Sequence, residues 1–207
     1  MTYHVVTYTG PFGYIKPWTA VRDGETFSQP FLSPSTITGM TIKLGVSEIL
    51  RHRLSHAGID RQQEQIQAAG WKTNRRTMTM TRQTGILVRG VMLRPRLHLA
   101  FATAEDAATA ATDHLCLCRN EDLIVPIRVR YLEKEGSRGI IETVRADDRA
   151  LVCEMESDTF DCIEGFELIK DEGPGTIPLG VSRYTGEMMR GRLVAVGTPG
   201  ASDRAGR

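Results

Sequence analysis

Residues 73–95 read TNRRTMTMTRQTGILVRGVMLRP, and this stretch decides the predicted fold. Residues 77–81 alternate between threonine and methionine, which is the two-residue period of a β-strand. Residues 83–85 have the composition of a turn, and Ile86 to Val91 resume strand character. The stretch therefore predicts a β-hairpin, and the arginines that it presents are Arg75, Arg76, Arg82 and Arg89.

Strand and helix patterns flank this hairpin on both sides. His4 to Thr9 is β-branched and aromatic like a strand, and the apolar positions that follow Pro34 fit a helix running to about His56. After the hairpin, residues 96–103 alternate like a strand, residues 104–117 are alanine-rich and helical, and residues 123–132 supply a last strand. This order predicts an α+β fold, namely a ferredoxin-like (RRM-like) βαββαβ domain with an extended β-hairpin thumb.

Three regions are expected along the chain. The ferredoxin-like domain covers residues 1–135 and includes the thumb at about 70–94, preceded by a polar linker at 61–69 that has some helical character. A small β-rich C-terminal region covers 136–197, where short strands alternate with glycine-rich turns. Residues 198–207 are expected to form a disordered tail.

The net charge of +1 hides a strong polarity along the chain. Residues 66–100 contain seven basic residues and no acidic residue, whereas residues 121–175 contain fifteen acidic and seven basic residues. Such asymmetry indicates a polyanionic partner on the basic side. Guanidinium groups match phosphate geometry, so the hairpin arginines and Lys72 are candidate nucleic-acid ligands. A solvated ribbon is the alternative.

A second candidate surface precedes the first helix, where residues 27–40 read FSQPFLSPSTITGM. Pro34 favours a helix start, and Ser35 is the candidate N-cap. The free amides over Ser33–Thr36, including those of the candidate ligands Ser35 and Thr36, would favour an anion at the start of the helix. The loop over 10–31 interleaves aromatic residues with Lys16 and Arg22, which suits single-stranded RNA. Alternatively, these aromatic side chains cover an edge of the core.

Several function classes lack their motifs in this chain. There is no GxSxG nucleophile motif and no P-loop. A metal-independent ribonuclease would need only an acid or base near the phosphate, for which Tyr14, His56 and His98 are available. His52 and His56 have helical i, i+4 spacing for a metal, and the four cysteines offer a loose zinc pattern, but buried free thiols are the default. We predict no metal and no cofactor.

The composition is that of a globular, cytoplasmic protein. The N-terminal residues have neither the basic segment nor the apolar segment of a secretory signal. No apolar run approaches the roughly 18 residues that a membrane span needs, so no membrane association is expected. The four cysteines do not form a dense disulfide framework, which favours a reducing compartment.

The order of these segments resembles the CRISPR-associated Cas-five subunits, members of the RAMP superfamily. The resemblance rests on TYTGPFGY, on PFLSPSTITGM with the apolar helix after it, on VRGVMLRPRLHLAF and on CLCRNEDLIVPI. It covers roughly residues 3–130, and the short C-terminal region fits compact members, including those of type IV complexes. No single motif carries it; the order of all of them does.

The resemblance implies a non-catalytic subunit of a Cascade-type antiviral effector complex, which binds the 5′ handle of the CRISPR RNA (crRNA) and caps the backbone. The implied partners are crRNA and the backbone and large subunits, with target DNA nearby. A crRNA-processing endoribonuclease of the same superfamily is one alternative, although no lysine adjoins a histidine here. A protein-interaction module without nucleic acid is the other. The candidate RNA ligands are Lys16, Arg22, Ser35, Thr36, Lys72, Arg75, Arg76, Arg82 and Arg89.

Overall fold

A computed structural model describes residues 1–16, 24–134, 137–143, 151–171, 173–181 and 185–197. Within these ranges the protein is a mixed α+β structure in which strands predominate over helices. The helices are α1 (Pro34–Leu44), α2 (Ala104–Ala110) and α3 (Ser157–Asp161). The strands are β1 (Thr2–Thr9), β2 (Phe12–Gly13), β3 (Glu25–Phe27), β4 (Arg51–Ser55), β5 (Gly58–Asn74), β6 (Thr79–Leu93), β7 (Arg96–Phe101), β8 (Leu115–Cys116), β9 (Leu123–Ile127), β10 (Val129–Lys134), β11 (Ser137–Thr143), β12 (Val152–Glu156), β13 (Gly165–Lys170), β14 (Ile177–Val181) and β15 (Met188–Val196).

A single antiparallel sheet forms the centre of the protein. Its strand order is β14-β15-β13-β4-β7-β1-β9-β8. One edge of β1 pairs with β7, while the other edge is shared by β12, which pairs along Thr2–Val6, and β9, which pairs along Thr7–Thr9. The predicted first strand and the strand after the hairpin are therefore neighbours at the middle of this sheet.

The main core lies between one face of the central sheet and the two longer helices. Alternate residues of β1 and β7, such as Val6 and Leu99, are completely buried on this face. They pack with Met40 of α1 and Ala107 of α2. The opposite face of the sheet carries a smaller apolar cluster that includes Phe160 of α3. Both faces of the sheet are thus covered over part of their area.

The first helix is shorter than the sequence predicts. It ends at Leu44 because Gly45 adopts a left-handed conformation with φ of 67°, and its N–H donates back to the Ile42 carbonyl. The chain then forms β4, which pairs with β7 and meets β13. The prediction of a helix to His56 is wrong, and the i, i+4 metal hypothesis for His52 and His56 loses its helical basis.

Three other predicted elements differ from the structure. The alanine-rich helix ends at Ala110 rather than at Leu117, and β8 follows it. Residues 61–69, predicted as a polar linker, belong to β5. The predicted strand over 123–132 is divided into β9 and β10, with Arg128 between them. Polarity was a poor guide because the side chains over 61–65 are exposed or half-buried, and a strand outside the core needs no apolar alternation.

The hairpin exists but is longer than predicted. Its strands β5 and β6 extend over Gly58–Asn74 and Thr79–Leu93. The turn lies at residues 75–78, so the predicted turn at 83–85 is wrong: Gln83 instead pairs with Gly70. The other edge of β6 pairs with β2 and β3, which attaches the base of the hairpin to the segment before α1.

The C-terminal strands join the central sheet. β12 pairs with β1, and β13 meets β4 at Phe166 and Leu54. β15 then pairs with β13 and β14. The predicted tail at 198–207 lies outside the described residues. Over the described part of the chain, no helix has the length and apolar character needed to cross a membrane.

Candidate nucleic-acid interface

The outer half of the hairpin is an exposed basic arm, which we define as residues 70–82. Every side chain in this range is exposed. Four of the predicted ligands lie here, and none of them forms an ion pair with another described residue: Lys72, Arg75, Arg76 and Arg82. Since the arm contains no acidic residue, its positive charge is available to a polyanion.

The two faces of the arm differ in chemistry. Directly opposed residues of antiparallel strands project from the same face, and Trp71 is opposite Arg82. The Arg82 guanidinium carbon lies 5.7 Å from the Trp71 ring centroid, within cation–π distance. Met80 lies on the same face, and both Trp71 and Met80 are 64% exposed. This face offers planar and apolar surface suited to nucleobases, whereas Lys72 lies on the other face.

The turn at the tip is held by a local side chain. Asn74 Oδ1 accepts hydrogen bonds from the Arg76 amide at 3.1 Å and the Thr77 amide at 3.4 Å. This is the Asx-type turn that asparagine favours. Met78 closes the turn with a positive φ of 51°. Arg75 and Arg76 are consequently presented at the end of the arm.

Arg89, predicted as an RNA ligand, does not belong to this exposed set. It lies near the base of the hairpin, where its side chain is only 18% exposed and forms an ion pair with Glu64. Its guanidinium carbon lies 5.0 Å from the centroid of the buried Tyr14 ring. Arg89 therefore joins β6 to the segment before β3. Glu64 stands just outside the acid-free stretch, so the charge count alone could not reveal it.

A close approach fixes another part of the hairpin base. Phe27 of β3 pairs with Gly90 of β6, which in turn pairs with Arg61 of β5. A Cβ atom at Gly90 would stand 2.1 Å from Phe27 Cδ1, so only glycine lets the ring lie across β6. The ring thereby reaches the Arg61 guanidinium, 5.8 Å from its centroid.

The predicted site at the start of α1 is rearranged. Ser33, rather than Ser35, is the N-cap: its Oγ accepts a hydrogen bond from the Thr36 amide at 3.2 Å. Pro34 has no N–H, so the amides expected to bind an anion are reduced to those of Ser33 and Ser35. The Ser35 hydroxyl contacts Met189 Sδ of β15 at 4.0 Å. Neither Ser35 nor Thr36 joins the basic arm.

The two loop cations have different outcomes. Lys16 is exposed and follows the buried residues Tyr14 and Ile15. Arg22 lies outside the described residues, as does the aromatic Trp18. Of the aromatic residues in this loop, Tyr14 is buried at 1% exposure and donates its hydroxyl proton to Thr26 Oγ1 at 3.0 Å. Tyr14 is thus a core residue, as the alternative interpretation of this loop expected.

A cleft lies beside the base of the hairpin and was missed by the sequence analysis. It has a volume of about 1210 Å³ and is lined by the end of β1, the connections β4–β5 and β6–β7, the approach to α1 and the start of β13. Its basic lining residues are His56, Arg94 and Arg96. No local sequence signal identifies the cleft, because its walls come from five separated segments.

Arg94 occupies an unusual backbone conformation at this cleft. Its φ is 47°, in the left-handed region, and Pro95 follows it. A bulky residue pays about 1–3 kcal/mol for such a conformation, and the surrounding structure must hold it there. The Arg94 N–H donates to the Pro11 carbonyl at 2.9 Å, which helps to fix this geometry. The side chain is exposed.

The three acid–base candidates are not equally accessible. His98 is fully buried, its Nδ1 lies 2.9 Å from Thr7 Oγ1, and burial lowers its pKa to about 3. Tyr14 is buried as well. Only His56 lines the cleft, where burial lowers its pKa. His98 and Tyr14 therefore cannot reach an RNA phosphate in this conformation.

The cysteines also differ from the default expectation. All four are free thiols, and Cys116 and Cys118 are exposed rather than buried. Burial raises the pKa of Cys153, which favours its thiol form. In the described part of the chain, no group of three or more His, Cys, Asp and Glu side chains could hold a metal ion.

Comparison with known proteins adds no assignment: the chain matches no protein-family model and no curated protein.

Proposed function

We propose that this chain is a non-catalytic RNA-binding subunit of a cytoplasmic CRISPR effector complex, holding the 5′ handle of crRNA and capping the backbone. The observation that carries the RNA part of the proposal is the exposed basic arm. Four cations lie within thirteen consecutive exposed residues that include no acidic side chain. Electrostatic binding to a phosphate backbone needs this arrangement of uncompensated charge.

The order of the central strands supports the ferredoxin-like part of the proposal. Neighbouring strands follow the sequence β9-β1-β7-β4, and all of these pairs are antiparallel. Helix α1 connects β1 to β4, helix α2 follows β7, and the hairpin lies between β4 and β7. A βαββαβ plan with an enlarged central hairpin requires this order.

Charge reversal on the arm tests the RNA proposal. The variant Arg75→Glu/Arg76→Glu changes the charge by the same amount as Lys170→Glu/Arg192→Glu, whose residues are exposed on β13 and β15. Binding of a labelled crRNA repeat fragment is measured by fluorescence anisotropy at several salt concentrations. The arm variant should weaken binding at least about 10-fold and lower the slope of log K against log salt by about one to two. The control should bind nearly as the original protein does.

The rival functions give different results in the same experiment. Equal binding by both variants would exclude the arm as the RNA contact. Specific cleavage of repeat RNA in EDTA would favour the endoribonuclease. If the protein neither binds RNA nor co-purifies with it, the protein-interaction module is the hypothesis that remains. The 5′-handle assignment is tested separately by whether a fragment without the handle binds less tightly.

A further inference from the structure

We propose that the cleft beside the base of the hairpin holds one unstacked nucleotide of the bound RNA, with Arg94 as the anchor for its phosphate. This inference rests on the proposed function, because it concerns the same ligand at a second place. The cleft adjoins Gly58 and Ile59, where the hairpin begins, and Arg94, just after it ends. A strand of RNA that follows the arm toward the sheet would therefore reach this cleft.

Arg94 has the properties expected of a phosphate anchor. It is exposed, and it forms no ion pair with another described residue, unlike Arg61 and Arg89 at the hairpin base. It also keeps a left-handed conformation that disfavours any residue except glycine, asparagine and aspartate. Strained residues of this kind concentrate at ligand-binding sites, where the conformation aims the side chain. A glycine at this position would adopt the left-handed conformation without strain. The backbone conformation therefore does not explain why the residue is an arginine, whereas binding of a phosphate does.

The remaining walls suit a nucleobase. The lining includes the aromatic residues Phe27 and Phe166 and the apolar side chain of Ile59, together with the hydroxyls of Thr9 and Ser55. Apolar and aromatic walls with a few polar groups are typical of small-molecule and base pockets. Base stacking on aromatic rings is tolerant of sequence, while hydroxyls can form hydrogen bonds with base edges. Thr9 Oγ1 donates its proton to the Pro95 carbonyl at 2.8 Å, so toward a base it can act as an acceptor. The volume of about 1210 Å³ exceeds the range of about 300–1000 Å³ for ligand pockets, so a nucleotide fits with its backbone.

The charges at the cleft orient the nucleotide. Arg94 comes from the β6–β7 connection and Arg96 is the first residue of β7, whereas Glu164 comes from the segment before β13. A phosphate is attracted to the arginine side and repelled by the carboxylate. The base is therefore expected on the side of Phe166, and the phosphate on the side of the hairpin.

The substitution Arg94→Gly tests the anchor because glycine adopts a positive φ without cost. It removes the guanidinium while the turn keeps its shape, and thermal unfolding verifies that the fold survives. We expect single-stranded RNA of about ten nucleotides to bind about 5- to 10-fold more weakly, with the salt slope reduced by about 0.7. Arg94→Lys, which keeps the charge, should recover part of the affinity. Arg192→Gly on β15 is the control for loss of one exposed arginine.

Photocrosslinking locates the base independently of affinity. RNA substituted with 4-thiouridine should crosslink to the original protein in peptides that contain Phe166 or Ile59, and Arg94→Gly should reduce this crosslink. Crosslinks confined to the arm, with unchanged affinity and salt slope in Arg94→Gly, would overturn the cleft assignment and leave the proposed function standing. If the original protein bound no RNA at all, the proposed function would fail and the cleft assignment with it.

Discussion

Two buried histidines couple the stability of the protein to pH. Burial is the largest cause that lowers the pKa of His52 to about 4 and that of His98 to about 3, from an ordinary value of 6.5. Well above pH 6.5 both rings are neutral in the folded and the unfolded state. Below pH 6.5 these rings become protonated in the unfolded chain but stay neutral in the folded protein. Each histidine therefore lowers the free energy of unfolding by up to about 1.4 kcal/mol per pH unit, until the pH reaches its pKa in the folded state.

We therefore expect the free energy of unfolding in urea to decrease between pH 6.5 and 4.5. A histidine titration by NMR checks the cause. The rings of His52 and His98 should show no titration above about pH 4.5. A stability that stays constant over this interval, or a ring at either position titrating near 6.5, would contradict the assignment.

Residue identities predicted the exposed arginines of the basic arm but not the ion pair of Arg89 at the base of the hairpin. Arg75 and Arg76 are exposed as the charge pattern indicates, because a run without acidic residues has no local counter-charge. Arg89 has the same composition around it, yet it pairs with Glu64 across the hairpin. That contact depends on the register of β5 against β6, which residue types specify only weakly in a hairpin that extends away from the core.

At the level of elements, the start of α1 gives a direct comparison between two serines. Ser33 Oγ accepts the Thr36 amide proton, whereas the Ser35 hydroxyl contacts the Met189 sulfur at 4.0 Å. Ser33→Ala should lower the free energy of unfolding by about 1 kcal/mol, because it removes the N-cap. Ser35→Ala should lower it by about 0.5 kcal/mol or less. Urea unfolding measures both, and a larger loss at Ser35 would show that the cap is assigned to the wrong serine.

Element types were easier to predict than element ends. The strands β1 and β7 and the existence of a hairpin follow from β-branched content and from a two-residue period. The end of α1 could not be predicted from the sequence, because a glycine such as Gly45 inside an apolar pattern can be either a tolerated helical residue or a C-cap. The turn was misplaced for a similar reason: Gln83-Thr84-Gly85 and Asn74-Arg75-Arg76 are both turn-like. The pairing of β5 with β6 places the turn after Asn74.

At the level of the whole molecule, the main surprise is where the C-terminal strands lie. Their strand character was predicted from short β-branched segments, but their pairing with β1 and β4 was not. These contacts join residues more than one hundred positions apart, and their specificity comes from side chains that meet only in the folded state. The cleft was unpredictable for the same reason, since its walls assemble from five segments.

One buried carboxylate connects β13 to β4 and so fastens the C-terminal strands to the rest of the sheet. Glu167 is 2% exposed and accepts hydrogen bonds from Arg51 Nε at 2.7 Å and Nη2 at 2.8 Å, and it lies 3.4 Å from Arg53 Nη2.

Glu167→Gln keeps the shape of the side chain but leaves Arg53, which is 1% exposed, without its counter-charge. Removing one partner of a buried ion pair costs about 3–5 kcal/mol, so we expect a loss near that range in urea unfolding. Asp161→Asn is the control, because Asp161 pairs with Arg51 at the surface and should cost about 1 kcal/mol or less. Equal losses in the two variants would show that Glu167 does not hold the C-terminal strands to β4.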